Sequence, residues 1–177
     1  MCNGANLAFE KNTYEEFPDP FNKSFSSGDD VFLLLNMKQK YRNEIMFLKS
    51  KEAVVMTKPE KTIRQFINQR KRWASKSTGY RDLDIILASI IVFLINLSLA
   101  FNLLGSILFQ ELLLIFSAQL LLKSIVDFSF LYLGLKYYNK TKLLSLFIQT
   151  QLLNILLVPF IALSSVLTSV KWKAKHS

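Results

Sequence analysis

The sequence predicts an α+β N-terminal part followed by an α-helical membrane domain of about three transmembrane helices. Most of the charged residues lie in residues 1–82, while residues 83–170 are overwhelmingly apolar. The mean hydropathy of +0.26 therefore averages two different environments. Turn signals divide residues 1–82 into short segments, whereas the later apolar stretches reach the roughly 20 residues that a bilayer crossing needs. The first part is suited to water and the second to lipid.

The composition excludes several classes of site. The chain of 177 residues contains one cysteine, Cys2, and one histidine, His176. An intrachain disulfide, a His-centred triad and a multi-His metal site are therefore excluded. A net charge of +9 would suit nucleic acid in a soluble protein. Basic residues beside apolar spans are more typical of a cytoplasmic membrane face, so we expect a lipid bilayer and no nucleic acid as partner.

Residues 1–58 combine short helices and strands. The run 7–9 suits a strand or the start of a helix, and residues 13–17 can form a helical turn that Pro18 stops. Ser27, with Asp30 three positions later, resembles a capping signal, so a helix is predicted over about 29–41. Two short strands are predicted next, at residues 45–48 and 53–56.

A basic amphipathic helix is predicted at about residues 60–77, opened by Pro59 and ended by Gly79. Its apolar positions recur with helical spacing, and its other positions carry most of the lysines and arginines of the segment. Such a cationic helix is typical of one that lies on a membrane surface. Residues 59–82 therefore form an interface segment between the N-terminal part and the membrane domain.

Three apolar stretches follow, at about residues 85–105, 112–135 and 143–168. Asn96 and Asn102 lie within the first and are expected to face other helices. Pro159 is expected to kink the third. Three crossings place the basic tail, residues 172–177, on the side opposite the basic helix, which runs against the positive-inside tendency. A second crossing that is re-entrant or split would give an even number instead.

Lys123 and Asp127 lie four residues apart in the second stretch and therefore share one helix face. An intramembrane ion pair is costly unless its groups are satisfied. The structural interpretation is a neutralised pair that locks the helices together, and it is favoured over the functional one. The functional interpretation is a contact with a lipid head group or a glycan.

Two short motifs carry the chemistry of the sequence. The first is Gly28-Asp29-Asp30 at a predicted helix start, and the second is residues 69–73, which read QRKRW and have the form QxxRW. Each alone is a weak signal, because the tripeptide suits any turn and cap. A basic helix with one tryptophan likewise suits any membrane surface, so Trp73 could be an interfacial anchor. Together, about 40 residues apart and directly before membrane spans, they are specific.

This arrangement resembles membrane-embedded family 2 glycosyltransferases, such as the hyaluronan, chitin and cellulose synthases. Residues 68–77 are most similar to bacterial enzymes of the family, particularly those of Bacteroidetes, and residues 2–9 resemble their acceptor-side segment. The resemblance covers the chain and is most specific over residues 2–77. It implies that residues 1–58 are the C-terminal remnant of a GT-A (α/β) catalytic domain. It also implies polysaccharide biosynthesis at the bacterial inner membrane, with the catalytic face cytoplasmic.

The resemblance assigns a role to each matching residue. Asp30 matches the general base that takes a proton from the acceptor hydroxyl, with Asp29 and Gly28 in support. A sugar hydroxyl is a poor nucleophile, so a carboxylate within hydrogen-bond reach assists its attack. In-line attack on a nucleotide-activated sugar inverts the anomeric centre. Trp73 matches a platform for the acceptor sugar, and Asn6 lies in the acceptor-side segment.

The donor side of the resemblance rests on three residues of the run 69–73. Gln69, Arg70 and Arg72 match the residues near the donor diphosphate. A guanidinium there can stabilise developing negative charge. A glycan or a lipid-linked sugar is the implied acceptor, and a nucleotide sugar is the implied donor.

Part of the family pattern is not found in the sequence. The family's nucleotide-binding half supplies a uracil pocket and a DxD metal motif, whereas residues 82–84 spell D-x-D only after QxxRW. We therefore expect a divalent metal, Mg²⁺ or Mn²⁺, for the complete enzyme, with ligands outside this chain. The chain, which opens as if within a domain, is expected to be a C-terminal fragment. An N-terminal half could be a separate chain, and the fragment is expected to transfer no sugar alone.

Two other functions remain open on the sequence. The first is a small, non-enzymatic, multi-pass membrane protein whose basic cytoplasmic region binds anionic lipid or a partner. The second is a channel or transporter, which only the pair of Lys123 and Asp127 supports. The donor sugar, the acceptor and the number of sugars added are not encoded in a recognisable motif.

Overall fold

The computed structural model describes residues 4–21 and 28–167, and this part of the chain is mostly helical. The described residues form two compact units, one containing those up to Ile86 together with Ser164–Leu167, and the other containing Leu87–Leu163. The α-helices are α1 (Lys11–Glu15), α2 (Asp29–Lys40), α3 (Ile63–Ser75), α4 (Leu83–Gly105), α5 (Glu111–Tyr137) and α6 (Phe147–Leu167).

Helix α2 forms the core of the first unit. It begins one residue after Gly28, carries two aspartates in its first turn and two lysines in its last, and so complements its own dipole at both ends. The predicted helix over 29–41 is confirmed, while its predicted cap, Ser27, lies outside the described residues. The buried side chains of α2 are Val31, Phe32, Leu33 and Leu35.

Helix α3 begins at Ile63, three residues later than the predicted start after Pro59. The reason is local: the Thr62 Oγ1 accepts a hydrogen bond from the backbone N–H of Gln65 at 3.2 Å, which makes Thr62 the N-cap. A 3₁₀ turn, Lys76–Gly79, continues the helix to the predicted glycine stop. No residue of α3 is buried, which fits a helix that lies on a surface.

The strands predicted at residues 45–48 and 53–56 are not formed, and the described residues contain no strand. A strand is stable only when a neighbour pairs with its backbone. Here the backbone bonds are those of turns, from Glu44 N–H to the Tyr41 carbonyl and from Val54 N–H to the Lys51 carbonyl. The apolar side chains of these segments are left exposed, with Met46 at 90% and Phe47 at 78%. The α+β character expected for residues 1–58 is therefore not seen.

The described chain has three helices long and apolar enough to cross a membrane, at Leu83–Gly105, Glu111–Tyr137 and Thr141–Leu167. Their bounds agree with the three predicted stretches to within about two residues. The third consists of a 3₁₀ segment, Thr141–Leu146, and α6, which runs through Pro159 without ending. Proline can donate no backbone hydrogen bond, so one bond of α6 is lost there.

The second unit is held together by a small apolar core to which each of the three helices contributes. Leu99 and Ala100 of α4, Phe116 of α5 and Ile155 of α6 are buried against one another. Most other apolar side chains of these helices are exposed, as expected for surfaces that contact lipid. The sequence expectation that Asn96 and Asn102 face inward is confirmed, since both are buried.

Candidate functional site

The candidate base, Asp30, is held in the first turn of α2. Its Oδ2 accepts a hydrogen bond from the backbone N–H of Gly4 at 2.9 Å, and its Oδ1 accepts one from Val31 N–H at 2.9 Å. The first bond joins two segments 26 residues apart. Asp29 is exposed beside it, and the side chain of Asp30 is partly buried.

Gly28 brings the two sequence motifs together. Its φ of 108° lies in the left-handed region, which side chains rarely adopt. A Cβ added there would lie 2.8 Å from Cδ of Lys76 and 3.2 Å from Cε2 of Phe32. The aliphatic chain of Lys76 therefore crosses directly over this glycine. Lys76 follows the last residue of α3, so the glycine-aspartate turn packs against the end of the QxxRW helix.

Lys76 is a basic residue that contacts this turn. Burial lowers the pKa of its ammonium below the usual value of 10.5. The opposite charges of Asp30 and Asp29 counter that effect, while Arg72 adds to it. One lysine therefore feels both aspartates of the first motif and the arginine of the second. This places Asp29, Asp30, Arg72 and Lys76 in one electrostatic cluster.

Helical spacing extends the cluster along α3. Gln69, Arg72, Trp73 and Lys76 are related by steps of three and four residues, so they form one stripe on the helix. Lys76, at the end of that stripe, contacts the turn before α2. The two motifs thus adjoin through Lys76.

The remaining candidate residues are engaged elsewhere. The Gln69 Nε2 donates to Oε1 of Glu60 at 2.7 Å, and the Asn6 Nδ2 donates to the carbonyl of Ala53 at 2.5 Å. The Arg70 guanidinium lies 4.8 Å from the ring centre of Trp73, which is 43% exposed. Arg70 therefore covers one face of the indole and does not join the cluster around Asp30.

Two contributors to this site, Gly4 and Lys76, were not predicted from the sequence. Gly4 acts through its backbone N–H, which no side-chain pattern reveals. In the sequence, Lys76 is one basic position among several in the predicted helix at about 60–77. Its signal was available, because it lies seven residues after Gln69 and therefore on the same helix face.

An ionic clamp joins the last turn of α2 to the start of α4. The Lys38 Nζ lies 2.5 Å from Oδ2 of Asp82 and 3.1 Å from Oδ2 of Asp84. The Asp82 Oδ1 accepts the backbone N–H of Ile85 at 3.2 Å, in the first turn of α4. These hydrogen bonds lower the pKa of Asp82 and raise that of Lys38. Both aspartates of the D-x-D sequence at residues 82–84 are therefore paired with Lys38.

The intramembrane pair of Lys123 and Asp127 has a third member, Gln151 of α6. Lys123 Nζ donates to Asp127 Oδ2 and, at 2.6 Å, to Gln151 Oε1. Gln151 Nε2 donates to the same Asp127 Oδ2 at 2.7 Å, which closes the triangle. The arrangement joins α5 to α6 and agrees with the structural interpretation of the pair.

Comparison with known proteins identifies no relative of this chain. No family model, no curated protein and no solved structure matches the chain. Among the described residues, no three His, Cys, Asp or Glu side chains lie together in a way that could hold a metal ion. The part of the chain that is described therefore offers no fitting site for the divalent metal expected from the resemblance.

Proposed function

We propose that the chain is the acceptor-side and membrane part of a membrane-bound, inverting family 2 glycosyltransferase. The observation that carries the proposal is the packing of the Gly28–Asp30 turn against the end of the QxxRW helix through Lys76. Two motifs about 40 residues apart are adjacent in space. A turn that served only to cap α2 would need no such neighbour.

The proposed reaction uses this chain's residues in three roles. Asp30 takes the proton of the acceptor hydroxyl as it attacks the anomeric carbon of a nucleotide sugar. Trp73 offers the indole face that Arg70 leaves uncovered to the apolar face of the acceptor sugar. Arg72, with Lys76 behind it, supplies positive charge toward the leaving diphosphate. Gln69 and Asn6 serve the donor and acceptor sides as their resemblance implies.

The donor nucleotide and the divalent metal, Mg²⁺ or Mn²⁺, belong in this proposal to the GT-A part that the resemblance implies. That part would also supply neighbours for residues 45–48 and 53–56, whose apolar side chains are exposed. The three apolar helices anchor the assembly in the bilayer. We place it in a bacterial inner membrane with Asp30 on the cytoplasmic side, where nucleotide sugars are made.

The test is a deletion and complementation experiment in the source cells. Membrane vesicles are supplied with radiolabelled UDP-hexoses and UDP-N-acetylhexosamines, and sugar transferred to lipid or polymer is counted. Deletion is expected to abolish one transfer activity, and the wild-type chain is expected to restore it. The Asp30→Asn variant is expected to restore a rate of sugar transfer about 10²–10⁴-fold lower than the wild-type chain does. That factor is the usual contribution of a general base.

Glu44→Gln is the matched control, because Glu44 is exposed and lies outside the proposed machinery. It is expected to restore full activity at an equal amount of membrane-bound protein. Trp73→Ala separates its two interpretations, since loss of transfer with unchanged membrane retention supports an acceptor platform. Full transfer by Asp30→Asn would reject the proposed base. Deletion without any loss of transfer would favour a non-enzymatic membrane protein.

A further inference from the structure

Two polar groups in the membrane helices have unused hydrogen-bonding capacity. The side chain of Asp127 is 42% exposed, and both of its hydrogen bonds are made by Oδ2. Within residues 4–21 and 28–167, its Oδ1 accepts none. Asn154 of α6 is partly buried, and its amide makes no hydrogen bond with any described residue. Among the described residues, the Asp127 Oδ1 is therefore an acceptor without a donor, and the Asn154 Nδ2 is a donor without an acceptor.

Both groups lie near the middle of their spans. At a rise of about 1.5 Å per residue, Asp127 is about 5 Å from the midpoint of Glu111–Tyr137. Asn154 is at the midpoint of Thr141–Leu167. The two positions differ in depth by an amount that two side chains and a hydrogen bond can bridge. Neither group can reach interfacial water from there without a defect in the bilayer.

A carboxylate oxygen facing hydrocarbon is costly, and polar groups at this depth normally find partners. The face of α5 that carries Asp127 is open toward its C-terminal end. Leu131, one turn later, is 39% exposed, and a Cβ added to Gly134 would meet nothing within 4 Å. A glycine on an open membrane-helix face permits close approach of another helix.

We propose that the α5 face formed by Asp127, Leu131 and Gly134 docks a second copy of this chain. In the dimer, the Asn154 Nδ2 of each copy donates to the Asp127 Oδ1 of the other. A twofold interface requires that each surface be complementary to itself, and one chain here supplies both the acceptor and the donor. Lys123 already neutralises Asp127, so a neutral amide completes the carboxylate's bonds without adding charge. The inference is independent of the proposed glycosyltransferase activity.

Cysteine cross-linking of the full chain tests the surface. In a Cys2→Ser background, Leu131→Cys and Leu133→Cys are compared in native membranes under copper-phenanthroline oxidation. Leu133 is 64% exposed at nearly the same depth, but lies about 200° around the helix from Leu131. Leu131→Cys is expected to give a disulfide-linked dimer, and Leu133→Cys to give little. Equal yields, or no dimer from either variant, would overturn the proposal.

A second variant tests the bond itself. Asn154→Leu, added to Leu131→Cys, is expected to weaken dimerisation about eightfold. Two symmetry-related bonds of about 0.6 kcal/mol each correspond to that factor. Ser129→Ala is the control, because Ser129 is exposed on another face of α5 and bonds to its own helix at Ile125. An Asn154→Leu dimer as strong as the control would reject the bond. Labelling of Asp127→Cys by a membrane-impermeant thiol reagent would reveal a water-filled cavity and overturn the docking surface.

Discussion

Gly28 adopts its left-handed φ of 108° immediately before α2, where Lys76 lies against it. Gly28→Ala is expected to lower the free energy of unfolding of the first unit by about 1–2 kcal/mol. The reason is the backbone penalty of that conformation for a residue with a Cβ. Displacement of Lys76 comes in addition. Denaturant unfolding in detergent, followed by tryptophan fluorescence in a Trp172→Phe background that leaves Trp73 as the fluorophore, measures the change.

Gly4→Ala is the matched control, because a Cβ there would lie 3.7 Å from Cβ of Asp30, an ordinary contact. It keeps the backbone N–H that donates to Asp30. An equal loss of stability in both variants would show that the backbone conformation of Gly28 is not the cause.

The two buried asparagines of α4 are expected to behave in opposite ways. Asn102 Nδ2 donates to Gln119 Oε1 at 3.0 Å, so Asn102→Leu should destabilise the helix packing by about 0.6 kcal/mol. Asn96 donates to its own helix at Val92, but its buried Oδ1 has no donor among the described residues. Asn96→Leu removes an unsatisfied acceptor and should leave stability unchanged or raise it.

The thermal midpoints of the two variants in the same detergent check this contrast. Both substitutions add the same apolar side chain to the same helix, so the difference between them isolates the two amide groups. A lower midpoint for Asn96→Leu than for Asn102→Leu would contradict the assigned bonding.

For single residues, the candidate carboxylate and the QxxRW motif were predictable from the sequence, while the contacts that bring them near each other were not. Asp30 belongs to the Gly28-Asp29-Asp30 motif, and Trp73 belongs to the QxxRW motif at residues 69–73. Lys76 could be reached only by asking which residues share a helix face with Gln69. The partner of Asp30, the N–H of Gly4, depends on tertiary packing and has no signature in the sequence.

Among the elements, α2 and α4 are joined by the clamp of Lys38 with Asp82 and Asp84. Lys38→Met is expected to lower the thermal midpoint of the first unit. The difference from wild type should be largest between about pH 4 and 10.5. The pKa of Asp82 is lowered from 3.8, so the clamp weakens as the pH falls below that value. The pKa of Lys38 is raised from 10.5, so the clamp weakens again as the pH rises above it.

Lys51→Met serves as the control for loss of a lysine. Lys51 is exposed and forms no ion pair with any described residue. Midpoints measured by circular dichroism across this pH range should differ for Lys38→Met and coincide with wild type for Lys51→Met. A Lys38→Met deficit that did not shrink at either end of the range would reject the ion pairs as its cause.

The predicted long helices are present in the structure, while the two predicted strands are not formed in the described residues. Long apolar stretches and an amphipathic basic segment specify helices from local pattern alone, and their observed bounds agree closely. Residues 45–48 and 53–56 have strand-like composition, but a strand also needs a neighbour, which local sequence cannot supply. Without such a neighbour, these segments form turns and leave their apolar side chains exposed.

For the whole molecule, the number of crossings decides on which side the basic tail lies. If all three candidate helices cross completely, the N-terminal part and the basic C-terminal tail would lie on opposite sides of the bilayer. Two features weigh the other way. The lysines of the tail favour the cytoplasmic side, and Ser164–Leu167 group with the residues up to Ile86 in one compact unit. We expect three crossings, because α5 is a single continuous helix of 27 residues and is too short to cross twice.

Two single-cysteine proteins measure the topology directly. The natural Cys2 reports the N-terminal side, and Ser177→Cys in a Cys2→Ser background reports the tail. A membrane-impermeant maleimide applied to right-side-out and inside-out vesicles should label the two from opposite sides, with full labelling of both after detergent. Labelling of both from one side would mean an even number of crossings. In that case α5 would have to enter and leave on the same face, and the midpoint depth assigned to Asp127 would be wrong with it.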